Sequence, residues 1–398
     1  MRAATKRVTV LLAESGTSVG GTERVLWELA TRLPPGRFDV RVWLSTAPGV
    51  DEFAAALERA GFPVERIAEV DSRWDLGGML RTWARLKRIA PRLLHVHHVW
   101  PAADRYLAAL AAAAGVPHLV ITEHSLGRSH SRGQEAIKRR ELGRAGAVTA
   151  VCGAVAETLV RDYGADRARI RVVPNGAEPP DPAAEAPEAL AIRTRYGATP
   201  LRPLWVCAAR LDPPKGQDVL LDAAARVRAT GLPFTLLIAG EGASRAALEH
   251  QARTLGIAEQ VHFLGQVEGI GPLLLAADAV VLPSRLEGLP LTLLEALIRE
   301  RPVVASAVGG IPEVIQHGVH ARLVTPESPS ELAAALEDFH RHPDAARKLG
   351  LAGGRRVREH FTWKRVAEQY EAVYDEVLGL ASFVPGAPVR AHVAVVRS

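Results

Sequence analysis

Short β-branched runs alternate with helical patterns along this chain, stop, and then start again, and that rhythm limits the fold more than any other feature. The front half reads VTVLLA (Val8–Ala13), the helical TERVLWELATRL, FDVRVWL (Phe38–Leu44), a helical stretch over Asp51–Ala60, and LLHVHH (Leu93–His98). An alanine-rich helix, HLVIT (His118–Thr122), AVTAV (Ala147–Val151) and RVV (Arg171–Val173) follow. Strands alternating with helices build right-handed βαβ units, and hence a parallel sheet covered on both faces. Residues 178–200 then crowd together prolines and alanines and read as an interdomain linker carrying one short helix. The rhythm restarts with LWVCAA, FTLLIAG, VHFLG, AVVLP, VVAS and RLV, and closes on an amphipathic helix over Phe361–Leu380. The expected fold class is therefore α/β: two facing, doubly wound lobes. One spans residues 1–177 and the other 201–360, with a terminal helix at 361–380 and a tail at 381–398 of no assigned role.

Composition narrows the function. A chain of 398 residues is long enough to bury two cores without disulfides or a structural metal. Lys and Arg number 49 against 44 Asp and Glu, a net +5, too balanced for a disordered chain and no footprint of nucleic-acid binding. The sign is uneven, however: residues 1–177 carry 26 basic and 18 acidic groups, or +8, which leaves −3 for the remainder. Cys152 and Cys207 each sit in an apolar run and read as buried core residues of a reducing compartment. The apolar run at Val8–Ala13 meets Glu14 after six residues, which argues against a signal peptide, and no stretch suits a membrane span. The expected location is cytoplasmic, peripheral to the inner face of a membrane.

In parallel α/β sheets ligands bind beyond the carboxyl ends of the strands, so residues following each strand matter most. ESGTSVGGTERV after the first strand offers Gly20 and Gly21 ahead of a helix, a loop able to approach a phosphate or sugar, although an ordinary βα turn accounts for its glycines equally well. The loop lacks the G-x-G-x-x-G spacing of a dinucleotide site, and no P-loop motif occurs anywhere. His124 falls just past the strand at His118–Thr122, before a glycine-containing loop, while His95, His97 and His98 read as strand residues rather than metal ligands. In AARLDPPKGQDVLLDAA, Arg210 ends a strand and Lys215 precedes a helix opening at Gly216: two cations and a helix N-terminus suited to a diphosphate. In LPSRLEGLPLTLLEAL, Glu287 lies in a loop and Glu295, eight residues on, inside the helix that the loop opens. Carboxylates suit hydroxyl-rich ligands because each accepts more than one hydroxyl proton.

Taken together, GGTERV, VVPNG, RLDPPKG, AGEG, VHFLG, the E-x₇-E pair and GGIPE resemble the retaining glycosyltransferases of family four (glycosyl transferases group 1), over nearly the whole chain. That resemblance implies the GT-B fold, two Rossmann-like lobes with a deep cleft between them. It implies a donor diphosphate on Arg210 and Lys215, the nucleotide ribose on Glu295, and the transferred sugar on Glu287 and the Gly288 and Leu289 backbone. His124 would face the reacting carbon, Gly20 and Gly21 would approach the donor, and the base would rest near Gly240, Gly242, Gly265 and Val267. Ala209, Ala243 and HARLV depart from the usual pattern but leave both cations and both glutamates in place.

The expected activity is retaining, metal-independent transfer of a sugar from a nucleoside diphosphate sugar, UDP- or GDP-linked, to a hydroxyl acceptor. No cofactor is expected; the nucleotide sugar is a substrate. The basic segments Arg81–Arg92 and Arg128–Arg144 suggest a saccharide or lipid-linked acceptor and peripheral contact with an anionic membrane, as in polysaccharide biosynthesis. The rival readings are a GT-B epimerase or phosphorylase and a non-catalytic sugar-nucleotide-binding protein.

Overall fold

The computed structural model describes residues 7–70, 72–98, 103–127 and 131–380. The chain divides into two compact units, the first ending at Asn175 and the second running over Gly176–Thr362, while the helix Trp363–Val377 returns to the first.

In the first unit seven strands form one parallel sheet: β1 (Val8–Glu14), β2 (Phe38–Ser45), β3 (Val64–Ile67), β4 (Leu93–His98), β5 (His118–Glu123), β6 (Ala147–Ala150) and β7 (Ile170–Val172). Their order is β3-β2-β1-β4-β5-β6-β7, so the winding reverses between β1 and β4. The central strands are buried because helices cover both faces of the sheet, and their polar residues, the three histidines of β4 among them, are buried with them. β3, by contrast, is an edge strand of four half-exposed residues, VERI, with no apolar run to announce it.

The second unit carries β8 (Leu204–Ala208), β9 (Thr235–Ala239), β10 (Val261–Gly265), β11 (Ala279–Leu282), β12 (Val303–Ser306) and β13 (Arg322–Val324) in the order β10-β9-β8-β11-β12-β13. All six expected strands are present, and here the winding reverses between β8 and β11. Its core stacks Trp205 of β8 on Phe234, ring centroids 4.4 Å apart and planes 9° from parallel, with Leu220, Leu221 and Val227 of the helix Gln217–Ala229 buried in the same cluster.

Residues 178–200, expected as a linker, belong to the second unit. Asp181 accepts from the Ala183 amide to cap a helix over Pro182–Arg195, which packs on the helix Gly271–Ala276. Two ion pairs tie it down: Glu185 with Arg299 at 2.6 Å and Arg193 with Asp278 at 3.0 Å. The short helix expected in this segment is thus present and runs to 14 residues, with its prolines at the first helical turn and at Pro187. The tail from residue 381 lies outside the described residues.

The terminal helix Trp363–Val377 buries Trp363, Val366, Tyr370, Val373 and Tyr374 against the first unit. The Tyr374 hydroxyl lies 2.7 Å from Nδ1 of His95 on β4, whose Nε2 lies 2.6 Å from the Thr122 hydroxyl. Ion pairs of Arg171 with Glu376 and of Arg37 with Glu371 and Asp375 hold the exposed side. Tyr374→Phe leaves a buried imidazole nitrogen without its partner, at a cost of about 1–3 kcal/mol. Domain-resolved hydrogen exchange is expected to show the loss in the first unit, with β8–β13 unchanged.

Candidate functional site

Open parallel sheets bind ligands where the strand order reverses, because the loops leaving the two strands part there. In the second unit that point lies between β8 and β11, and the chain delivers its most distinctive polar residues to it.

Beyond β8, the turn Pro213–Lys215 runs into Gly216, which adopts φ +67° and leads into the helix Gln217–Ala229. A side chain at Gly216 would strike the Pro283 carbonyl, so this glycine lets the two strand-end loops touch. Lys215 Nζ sits 2.8 and 2.9 Å from the two carboxylate oxygens of Glu287, which is buried in the loop after β11. The Ser284 hydroxyl donates to the same carboxylate at 2.8 Å. Below the pair lies Cys207, whose thiol is pushed up to about 12 by burial and is inert at neutral pH. Arg210 is mostly exposed, 3.1 Å from Asp212, while its carbonyl accepts from the Gln217 side chain at 2.9 Å.

The surrounding loops are tightly laced. Gly240 donates to the Gly265 carbonyl at 2.7 Å, and Leu211 donates to the Glu241 carbonyl at 2.9 Å. A Cβ on Gly240 or Gly242 would press on the backbone of Ala209 or Leu211, so the β8 and β9 loops approach as closely as backbones can. Val267 follows one turn of chain beyond Gly265 and is half-buried. Gly288 and Leu289 are buried, and the Gly310 amide donates to the Gly288 carbonyl at 2.7 Å. Glu295 is half-buried in the helix Leu291–Ile298, whose Thr292 hydroxyl donates to the Ala208 carbonyl at 3.1 Å. Arg210, Lys215, Glu287, Gly288, Leu289, Gly240 and Gly242 thus lie on the turns and loops that leave the strands of one sheet, Gly265 on the last residue of β10, and Glu295 within the helix that follows the β11 loop. Ser284, Gln217 and Arg285, which bridges Asp218 and Glu327, support that edge and were not singled out as site residues from the sequence.

His124, Gly20 and Gly21 belong to the first unit. His124 follows β5, half-buried, with Nε2 3.1 Å from Nδ1 of His97. Desolvation lowers it to about 4 against the pull of Glu123, so it is a neutral imidazole at physiological pH. Behind it lies a buried charge network absent from the sequence reading. Glu123 pairs with Lys138, and with His98 at 2.8 Å; His98 also reaches Glu141 at 3.3 Å. Burial pulls His98 down, but Glu141 and Glu123 outweigh it and hold the ring at about 9. The same cations hold Glu123 at about 2 despite its burial.

Gly20 precedes the helix Gly21–Arg32, and its amide donates at 2.7 Å to Glu23 three residues on, so that N–H is already engaged within the turn. At the end of β1, Glu14 is buried beside Glu23 and accepts from the Gly16 amide. Desolvation, reinforced by the Glu23 charge, pushes Glu14 up to about 9.

Comparison with known proteins matches the site to a family. The family model for glycosyl transferases group 1 covers residues 202–342, and that for glycosyltransferase family 4 covers residues 19–179. The α-maltose-1-phosphate synthase of Mycolicibacterium smegmatis is 33% identical over 72% of this chain and 80% of its own length. The D-inositol 3-phosphate glycosyltransferase of Geodermatophilus obscurus is 33% identical over 81% and 70%. Among solved structures, Anabaena Alr3699/HepE in complex with UDP and glucose superposes with a TM-score of 0.79 at 23% identity, covering 92% of this chain and 99% of that one. The two sheets, each wound in the Rossmann manner, are those of the GT-B glycosyltransferases. The chain belongs to the group 1, or family 4, glycosyltransferases.

Because Glu14 holds its proton more tightly when folded than the ordinary carboxyl value of 4.5, its contribution to stability is complete below that value. It is lost as pH rises towards about 9. Glu14→Gln removes this loss: the melting temperature of the variant relative to wild type is expected to rise steadily between pH 5 and pH 9 in scanning calorimetry.

Proposed function

We propose that this glycosyltransferase moves a sugar from a nucleoside diphosphate sugar, UDP- or GDP-linked, to a hydroxyl acceptor, retaining anomeric configuration and using no metal. The observation that carries the reading is the Lys215–Glu287 pair at the β8/β11 switch point, with Arg210 exposed beside it. The similar proteins support the same reading: one similar fold was solved with UDP and glucose, and several relatives are named for sugar transfer.

In this reading Arg210 and Lys215 take the diphosphate, beside the positive end of the helix Gln217–Ala229. Glu287, oriented by Ser284 and Lys215, accepts hydroxyl protons of the transferred sugar, and Glu295 those of the ribose. As the bond from the anomeric carbon to the diphosphate oxygen breaks, charge grows on the leaving group, where the two cations stabilise it. The acceptor oxygen forms its bond to the same carbon on the same face, and its proton passes to the leaving diphosphate. A neutral His124 would offer a hydrogen bond to the sugar without adding a positive charge near the developing oxocarbenium ion.

Acceptor delivery from a membrane surface is part of the proposal. No helix among the described residues is long and apolar enough to cross a membrane. Instead Trp74, Leu76 and Leu80 stand 77, 69 and 63% exposed at the start of the helix Leu76–Ile89, beside Arg73 and Arg81. Large apolar side chains flanked by arginine suit the interface of an anionic bilayer.

Lys215→Ala and Glu295→Ala are each expected to lower transfer by about 10²-fold or more in a product-resolved assay against UDP-, GDP-, ADP- and dTDP-sugars. Wild-type rates in both variants would overturn the assignment, and an epimerised or phosphorolysed product would favour the rival chemistry. Co-sedimentation with vesicles is expected to require anionic lipid and to weaken on Trp74→Ala and Leu80→Ala; binding indifferent to lipid charge would remove the membrane step.

A further inference from the structure

The first sheet has a switch point of its own, between β1 and β4, and a small cavity of about 30 Å³ opens beside it. At ~10–15 Å³ of such volume per water, it admits about two water-sized groups. Its walls come from the end of β1, the end of β2, the chain after β3 and the residues that follow β4.

Three of its lining residues carry a buried polar atom with no hydrogen-bond partner: Glu14 Oε2, Trp43 Nε1 and Asp104 Oδ2. Glu14 and Trp43 are 3% and 2% exposed. Leaving such atoms unpaired costs about 1–3 kcal/mol each, a cost that a ligand or water supplying the missing partners removes. Asp104 is held in the left-handed region, φ 51°, with its amide donating to Glu69 at 2.9 Å, so the backbone is strained where the carboxylate joins the wall. Apolar side chains, Ile67 and Leu107 among them, and the rings of Trp43 and Tyr106 complete the lining. No lysine, arginine or histidine lines the cavity among the described residues.

We propose that this cavity receives the hydroxyl-bearing edge of an uncharged saccharide or cyclitol ring, and that Glu14, Trp43 and Asp104 make it reject a phosphorylated one. A hydroxyl both donates and accepts, so a pair of them can satisfy an indole N–H and two carboxyl oxygens at once. A phosphate accepts only, and would bring its charge against Asp104 and Glu69 with no lysine, arginine or histidine among the described residues of the cavity wall to meet it. The raised affinity of Glu14 for its proton agrees with this: the site keeps charge low rather than gathering it. Aromatic and aliphatic walls suit the C–H faces of such a ring. The inference rests on the glycosyltransferase reading for its role, since the ring would be the acceptor, but its binding chemistry can be tested alone.

The test uses the full chain and ligand-observed NMR titration with methyl α-glucoside, myo-inositol, glucose 6-phosphate and glucosamine. Saturable binding of one or both uncharged rings is expected, with the phosphorylated sugar at least tenfold weaker. Trp43→Phe, which keeps the ring and removes only the N–H, is expected to weaken the uncharged ligands about five- to tenfold. Asp104→Asn is expected to narrow the discrimination against glucose 6-phosphate. Equal or tighter binding of the phosphate or the amine, no effect of Trp43→Phe, or binding of no probe at millimolar concentration would each overturn the proposal. Thermal shift by UDP reads the second unit separately. Its absence in wild type would count against the donor assignment, and its retention in Trp43→Phe shows that the variant is folded.

Discussion

A parallel strand buried on both faces can carry a polar side chain only where a buried partner meets it, and this constraint orders the whole molecule. β1, β8 and β11 spend nearly all their residues on apolar packing, and β4 holds its three histidines against Tyr374, His124 and Glu123, so the open polar chemistry collects where the strands end. At each reversal of winding, neighbouring loops diverge and leave a place for a ligand. The second unit fills that place with the Lys215–Glu287 pair, and the first with Glu14, Asp104 and an indole N–H. One topological rule thus yields two polar clusters of different chemistry.

Glycine makes the closeness of these loops achievable. Gly216 and Gly309 adopt positive φ, and at each a side chain would collide with a carbonyl of the loop after β11, Pro283 in one case and Glu287 in the other. The loop bearing Glu287 is therefore gripped from two sides by backbone alone. Its carboxylate is fixed by Ser284 and Lys215 before any ligand arrives, which limits the ordering that binding must impose.

Charge looks different at the level of the fold. The front half is basic in sum, yet the switch point of its sheet is walled by carboxyl groups, and the arginines lie on the helix Leu76–Ile89 and elsewhere on the outside. Net charge describes the surface that meets other molecules at long range; it says nothing of a pocket whose field is set by three or four groups. Buried ionisable residues likewise escaped the sequence: Lys138 reads as one more cation in a basic stretch, and is wholly buried between Glu123, Glu141 and His98.

Sequence alone determined the two parallel sheets, six strands of the second unit, the terminal helix and the spacing of Arg210, Lys215, Glu287 and Glu295, because periodicity and short motifs are local properties of the chain. It did not reveal β3, whose VERI is an edge strand without an apolar run, and it read residues 178–200 as a linker with one short helix because proline content does not show that the helix packs into the second unit. Tertiary structure alone decided that Lys215 meets Glu287 across 72 residues, that the Gly20 amide is already engaged by Glu23, and that Glu14, Trp43 and Asp104 line one cavity. Those facts depend on which strand ends become neighbours, and strand order is settled by the packing of the entire sheet.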